Sequence, residues 1–262
     1  MRATQLRSAS GLVTPGAASY RAPELKVRVL GPLEVLSNGD DVRLGGPKQR
    51  MVLALLAAEV GKPVSVDTLI GGVWGDEPTA GARSTLQTYV SNLRAAIGDV
   101  IVRDGGGYRL VADPENVDAV EFERAVEHAT ALVETDPAEA AQRLRAALAH
   151  WRGHPYADVP GPFPLELEAR RLEELRLRAV EMRIEAELAL GRHAQLIAEL
   201  EVLCEEFPIY ERFRAQNMIA LYRSGRQAEA LRGYQKTRTY LAEELGLEPS
   251  AHLQEFERRI LN

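Results

Sequence analysis

Hydrophobic and polar residues alternate with two different periods along this chain, and the dominant period changes near Asp113. Residues 25–30 alternate apolar and polar side chains at period two, which predicts a β-strand that stops before a Gly-Pro pair. Residues 33–36 and 41–44 predict two further strands, and the turn-forming segment 37–40 separates them. The chain is therefore expected to open with an antiparallel β-meander.

Residues 47–98 carry the 3.6-residue period of helices. A first helix is predicted between Pro47 and Gly61, a second over residues 66–74 with Ser65 as N-cap, and a third from near Thr79 to Gly98. In the third helix, one apolar stripe is formed by Leu86, Val90, Leu93 and Ile97. Residues 100–103 and 108–111, on either side of a glycine-rich tip, predict a β-hairpin.

This order of strands, three helices and a hairpin is that of a winged helix with an added N-terminal sheet. The second and third helices would form a helix-turn-helix, whose second helix enters the DNA major groove.

Beyond Asp113 almost every segment predicts helix. Residues 190–194 and 224–228 match at an offset of 34 residues, the period of tetratricopeptide helix pairs. Helices are predicted at about 118–134, 137–152, 164–190, 193–206, 210–224 and 227–244, and the proline-rich residues 153–164 form an irregular connection. The predicted domains are a flexible extension (1–23), a winged helix (24–113) and an all-α tetratricopeptide-like domain (114–262).

Composition and charge limit the possible functions. The chain has 262 residues, of which 45% are hydrophobic and 27% charged, as in soluble globular proteins, and no apolar run is long enough to span a membrane. A single cysteine, Cys204, excludes an intrachain disulfide and is expected in the core. The net charge of −6 is concentrated in residues 114–262, which carry a net −8. Nucleic-acid binding would therefore need a local basic surface.

Two segments of the winged helix provide such a surface, because residues 42–58 and 78–98 contain no acidic residue. On the third helix, the positions that the apolar stripe leaves free carry side chains that read base edges or hold phosphates. These DNA-binding candidates are Arg83, Thr85, Gln87, Thr88, Ser91, Asn92 and Arg94. The alternative is an ordinary amphipathic helix with a solvated face, but such faces usually mix Lys, Glu and Asp.

The predicted hairpin adds three candidates. Arg103 and Arg109 bracket the glycines and Tyr108, so a narrow turn would present two cations and an aromatic ring to a phosphate. A nucleotide-binding loop is rejected, because no Gly-x-x-x-x-Gly-Lys-Ser/Thr sequence and no following helix are present.

Several separated motifs resemble the Streptomyces antibiotic regulatory protein family, in its short form without an ATPase module. Those in the first half resemble its OmpR-type winged helix: residues 29–35 (VLGPLEV), 46–50 (GPKQR), 86–94 (LQTYVSNLR) and 106–110 (GGYRL). Residues 151–158 (WRGHPYAD) and 243–250 (EELGLEPS) resemble its bacterial transcriptional activation domain. The resemblance covers about nine-tenths of the chain, in the right order, and leaves residues 1–23 unmatched.

The resemblance implies an activator of an antibiotic or other secondary-metabolite gene cluster. Such a protein would bind direct repeats in double-stranded promoter DNA as a tandem homodimer, with Lys48 and Arg50 on phosphates. It would recruit RNA polymerase holoenzyme, including its sigma factor, through the loop that contains Asp76 and Glu77. These two acids would repel phosphates unless they point away from DNA. The alternative for the pair is helix capping.

Other functions remain as alternatives. A helical-repeat adaptor could use its winged helix for protein contacts only, and the same fold could serve a repressor. Nothing in the sequence indicates catalysis, a cofactor or a metal site, since His150 and His154 lack a ligand set around them. The expected location is the cytoplasm, at the nucleoid, without membrane attachment.

Overall fold

The computed structural model of the chain describes residues 25–159 and 163–262. The predicted flexible extension, residues 1–23, lies outside these described residues. Within them, each helix is either too short or too polar to cross a lipid bilayer.

The described chain opens with a three-stranded antiparallel sheet, as predicted. Its strands are β1 (Leu25–Arg28), β2 (Glu34–Ser37) and β3 (Asp40–Asp41), in the order β1-β2-β3. Val27 faces Val35 across the first pair, and both side chains are fully buried. The turn between β2 and β3 places Asn38 and Gly39 at positive φ, as the Asn-Gly pair predicts.

Two of these strands are shorter than the predicted ones, for two different reasons. β1 ends at Arg28 because the next two backbone N–H groups donate to the carboxylate of Asp118 instead of to a strand. The predicted third strand, 41–44, was wrong in extent. Val42 N still donates to Val35 O at 2.9 Å, but the chain then turns inward to bury Leu44.

Three helices follow, close to the predicted positions. They are α1 (Pro47–Ala58), α2 (Val66–Trp74) and α3 (Ala82–Ile97). α2 has the predicted N-cap, since the hydroxyl of Ser65 accepts a hydrogen bond from Thr68 N at 3.0 Å. α3 starts three residues later than predicted, at Ala82, so the α2–α3 loop is longer than the sequence indicated.

The predicted hairpin is formed by β5 (Ile101–Asp104) and β6 (Gly107–Leu110). A short strand that the sequence pattern did not indicate, β4 (Val64–Ser65), pairs with β6 and completes a sheet of order β4-β6-β5. Gly107 makes this pairing possible, because a Cβ at that position would lie 2.0 Å from the carbonyl oxygen of Val64. The hairpin is thereby fixed to the start of α2.

Beyond a 3₁₀ turn at Pro114–Asn116, the described residues are almost entirely helical. The helices are α4 (Asp118–Leu132), α5 (Pro137–Leu148), α6 (Phe163–Ala189), α7 (His193–Glu206), α8 (Glu211–Arg223), α9 (Gln227–Tyr240) and α10 (Ala251–Leu261). A π-helical turn, Leu241–Leu245, follows α9. The predicted helix at 137–152 extends too far, and α10 lies outside the predicted helices.

The 34-residue repeat is visible in the backbone geometry. Gly191 and Gly225 have φ values of 77° and 76°. Arg192 N donates to Glu187 O, and Arg226 N donates to Leu221 O, which is the same bond shifted by 34 residues. The turns from α6 to α7 and from α8 to α9 are therefore equivalent, as expected for two tetratricopeptide-like helix pairs.

The boundary between the two main clusters of buried hydrophobic side chains lies inside α6 and not at the end of the winged helix. One cluster of buried side chains runs from Leu25 to Met182 and includes the winged helix, α4, α5 and the first part of α6. A second cluster runs from Ile184 to Ile260 and contains Cys204, which is buried as predicted. The change of secondary structure near Asp113 thus falls within a continuous core, and the domain division at that residue stays a prediction.

Hydrogen bonds to one buried carboxylate join the winged helix to α4. Asp118, at the start of α4, is 6% exposed and accepts from Val29 N at 2.7 Å and from Leu30 N at 3.1 Å. Residues 152–158 bind the same backbone segment from the other side, since Arg152 N donates to Leu30 O at 2.7 Å and Tyr156 N to Val29 O. We call the contacts of residues 29–33 with Asp118 and residues 152–158 the joint.

Replacing Asp118 with alanine should destabilise the protein. The change leaves two buried backbone N–H groups without an acceptor, and each such group costs about 1–3 kcal/mol. We expect the free energy of unfolding, measured by urea denaturation, to fall by about 2–4 kcal/mol. The control is Asp113→Ala, an exposed aspartate just before α4, which should change it by less than about 0.5 kcal/mol. Equal unfolding midpoints for both variants would contradict the role of Asp118.

Candidate nucleic-acid interface

One face of α3 is fixed against the core of the winged helix. The predicted stripe of Leu86, Val90, Leu93 and Ile97 is buried, with at most 3% of each residue exposed. The start of the helix is also fixed, because Ala82 is 3% exposed. The opposite face of α3 must therefore point to solvent.

The outermost line of side chains on α3 consists of small residues. Ser84, Thr88, Ser91 and Ala95 are all exposed and are spaced by four, three and four residues, which places them on one face. We call these four residues the outer ridge. Gln87 and Asn92 are exposed on either side of it. Sequence reasoning missed Ser84 and Ala95, although their positions opposite the apolar stripe could have identified them.

Three hydroxyl groups on α3 donate to the helix backbone and are not free to donate to bases. Ser84 Oγ and Thr85 Oγ1 both donate to Gly81 O, at 2.9 and 3.0 Å. Thr88 Oγ1 donates to Ser84 O at 3.1 Å. Thr85 is also only half-exposed, so it lies at the edge of the solvent-facing surface.

The two arginines of α3 contact other parts of the winged helix. Arg83 Nη2 lies 3.1 Å from Asp67 Oδ1 at the start of α2, and both side chains are well exposed. Arg94 Nε donates to Ile101 O at 2.6 Å and so fixes the end of α3 to β5. An exposed ion pair contributes little stability, so Arg83 can exchange its partner easily. Arg94 already has a structural bond in addition to its predicted role on DNA.

Gln49 of α1 contacts the exposed face of α3, although it is not among the DNA-binding candidates that the sequence indicates. Its side chain is 8% exposed, and its Oε1 accepts a hydrogen bond from Asn92 Nδ2 at 3.3 Å. Its amide also packs tightly against Gly45. A buried amide in this position orients the side chain of Asn92. No sequence signal distinguished Gln49 from its charged neighbours.

Lys48 and Arg50, the two predicted phosphate contacts of α1, lie in different environments. Lys48 is exposed, with its Nζ 5.2 Å from the centre of the Trp74 ring, and this ring stacks on Tyr89. Arg50 instead donates to Leu33 O at 2.6 Å and forms an ion pair with Asp158. Arg50 therefore reinforces the joint through Leu33 and Asp158, and its contact with a phosphate stays a prediction.

The hairpin exposes fewer candidates than predicted. Arg103 is exposed on β5, whereas Arg109 is half-buried and lies 3.4 Å from Asp104. Tyr108 is 5% exposed and packs in the core, on β6, the central strand of its sheet. This corrects the expectation that Tyr108 lies on the hairpin surface.

Asp76 and Glu77 are exposed in the loop between α2 and α3. The first turn of α3 contains no acidic residue, and Gly81 precedes it without a side-chain cap. Glu77 lies five residues before Ala82, and the favourable effect of an acid at a helix N-terminus acts within the first turn. Helix capping therefore does not explain this acidic pair.

Comparisons with known proteins agree with this architecture. The family model described as "Transcriptional regulatory protein, C terminal" matches residues 39–110, and the "Bacterial transcriptional activator domain" model matches residues 117–261. A solved structure of EmbR from Mycobacterium tuberculosis, titled as a complex with a low-affinity phosphopeptide, superimposes with a TM-score of 0.87 at 36% identity. The match covers 91% of this chain and 65% of that one. It confirms the predicted fold class, a winged helix followed by an all-α domain.

Sequence relatives identify the family. Regulatory protein DnrI of Streptomyces peucetius is 41% identical, and the match covers 90% of this chain and 92% of that protein. Regulatory protein AfsR of Streptomyces griseus is 38% identical over 92% of this chain, which spans only 25% of that longer protein. The chain belongs to the Streptomyces antibiotic regulatory protein family of transcriptional regulators, with an OmpR-type winged helix and a bacterial transcriptional activator domain.

Proposed function

We propose that the protein activates transcription of a biosynthetic gene cluster by placing α3 in the major groove of promoter DNA. The observation that carries this proposal is the solvent-facing side of α3, where small and amide side chains face outward and no acid occurs from residue 78 to residue 98. A surface without acids avoids repulsion by phosphates, and a helix with small outward side chains can approach base edges closely.

The contacts of individual side chains divide the predicted site into three roles. Gln87, Ser91 and Asn92 are exposed on α3 and supply the groups that discriminate bases. Lys48, Arg83 and Arg103 are exposed cations around them and bind phosphates. Arg50, Arg94 and Tyr108 hold the winged helix in shape.

Replacing Gln87 with alanine should relax the choice of one base pair. Its amide can donate and accept at a base edge, so its loss should weaken binding to the preferred site by about 1–3 kcal/mol. The base preference at the other base pairs of the site should not change. Fluorescence anisotropy with single-base variants of the site measures this effect. Gln142→Ala, an exposed glutamine on α5, is the matched control and should bind as the wild type does. Unchanged preference in Gln87→Ala would argue against the groove position of α3.

The salt dependence of DNA binding distinguishes the proposed phosphate contact of Lys48 from the structural role of Arg50. Lys48→Ala removes one phosphate contact, so the slope of log affinity against log salt should decrease by about one. Arg50→Ala should leave the slope unchanged and lower the free energy of unfolding by about 1–3 kcal/mol, because its hydrogen bonds belong to the joint. The reverse pattern, a smaller slope in Arg50→Ala alone, would place Arg50 on DNA after all.

Two protomers are proposed to bind direct repeats in tandem, each with its α3 in one repeat. A single winged helix with three exposed cations at the proposed interface neutralises few phosphates, and a second copy on the adjacent repeat adds its contacts to the first. The protein would act at the nucleoid, in the cytoplasm.

Activation is proposed to proceed through the acidic pair Asp76 and Glu77, which contacts the basic DNA-recognition region of a sigma factor. Support comes from their exposure and from the absence of a capping role at α3. Complementary charge favours such a contact with a basic partner and disfavours one with DNA.

The double substitution Asp76→Ala with Glu77→Ala should abolish most activation and leave DNA binding intact. A mobility shift and a transcription assay in vitro with purified polymerase holoenzyme measure the two activities separately. Asp40→Ala with Asp41→Ala, an exposed pair of acids on β3, removes the same charge elsewhere and should leave both activities unchanged. Full activation by the loop variant would move the polymerase contact to another surface.

A further inference from the structure

Thr88 is the largest residue of the outer ridge and lies near its middle. The other ridge residues are Ser84, Ser91 and Ala95, and all four are exposed. If α3 enters the major groove as proposed, the side chain of Thr88 extends further toward the base pairs than those of its ridge neighbours. The chemistry of its outward group therefore decides what the centre of the ridge recognises.

The outward group of Thr88 is a methyl group. Its hydroxyl oxygen donates to Ser84 O at 3.1 Å, one helical turn back. Since Oγ1 is turned toward the helix backbone, the γ-methyl is the branch left for contact with DNA. In the major groove, only thymine presents a methyl group of its own, at C5 of the base, and threonine methyl groups contact it favourably.

The neighbouring contacts leave this methyl group accessible. Two of the longer polar side chains of α3 have partners within the winged helix, since Asn92 donates to Gln49 Oε1 and Arg94 donates to Ile101 O. No charged side chain lies on the ridge itself. We propose that Thr88 selects a thymine in the binding site through contact between its γ-methyl group and the C5-methyl of the base. This inference rests on the proposed DNA binding by α3.

The test replaces thymine by deoxyuridine, which lacks only the C5-methyl group. The full-length protein first selects sites from a random duplex library, and each invariant thymine of the selected site is then replaced singly. One replacement should weaken binding about fourfold, the effect of a single buried methyl-sized group. Thr88→Ser, which removes the γ-methyl and keeps the hydroxyl, should bind both versions of that site equally. Thr88→Val, which keeps a methyl and removes the hydroxyl, should retain the fourfold difference.

Thr85→Ser is the matched control, because Thr85 has the same hydroxyl bond to the helix backbone but is only half-exposed. Thr85→Ser should still bind the deoxyuridine-containing site more weakly than the thymine-containing site, as the wild type does. The inference is overturned if the selected site has no invariant thymine, if no replacement weakens binding, or if Thr88→Ser still discriminates. Loss of discrimination in Thr88→Val, or in the Thr85 control, also overturns it. Failure of the wild type to enrich any sequence contradicts instead the proposed function on which the inference rests.

Discussion

The buried carboxylate of Asp118 is the contact on which the arrangement of the two halves depends. The backbone N–H groups of Val29 and Leu30 leave the sheet where β1 ends, and without Asp118 they would be buried donors with no acceptor. Burial raises the pKa of Asp118, and those two N–H groups and the nearby guanidinium of Arg152 oppose this rise. The carboxylate thus ties a strand segment of the winged helix to the first helix of the repeat region, inside a core that continues across both.

Helix α1 connects this joint to the exposed face of α3. Two consecutive residues carry the connection: Gln49 accepts a hydrogen bond from Asn92 on α3, and Arg50 binds Leu33 O and Asp158 at the joint. Because both belong to one helix buried on most sides, α3 cannot rotate without moving α1. In the proposed complex, the direction in which DNA holds α3 would therefore also determine where α4–α6 lie on the promoter.

The sequence predicted the fold class and the buried and exposed faces of α3, because both depend on local patterns. The buried stripe of α3 has a clear helical period, and the turns at Gly191 and Gly225 recur at a fixed offset. The sequence did not predict the role of Arg50, the burial of Tyr108 or the contact of Gln49, because each depends on a partner distant along the chain. Asp158, for example, lies 108 residues from Arg50. Residue type alone indicated DNA for Arg50 and Tyr108, but their tertiary contacts place them in the joint and the core.

These reassignments change the physical basis expected for DNA recognition. With Arg50 at the joint and Arg94 bonded to β5, the exposed cations of the proposed interface are Lys48, Arg83 and Arg103. Neutralising about three phosphates gives a salt slope near −3 and weak sequence-independent affinity per protomer. In the proposed complex, a net-acidic chain with so few phosphate contacts would obtain its selectivity from close contact between the low ridge of α3 and the bases, and its affinity from two copies on adjacent repeats. The small outward side chains of α3 and the proposed tandem arrangement thus both compensate for the small number of phosphate contacts.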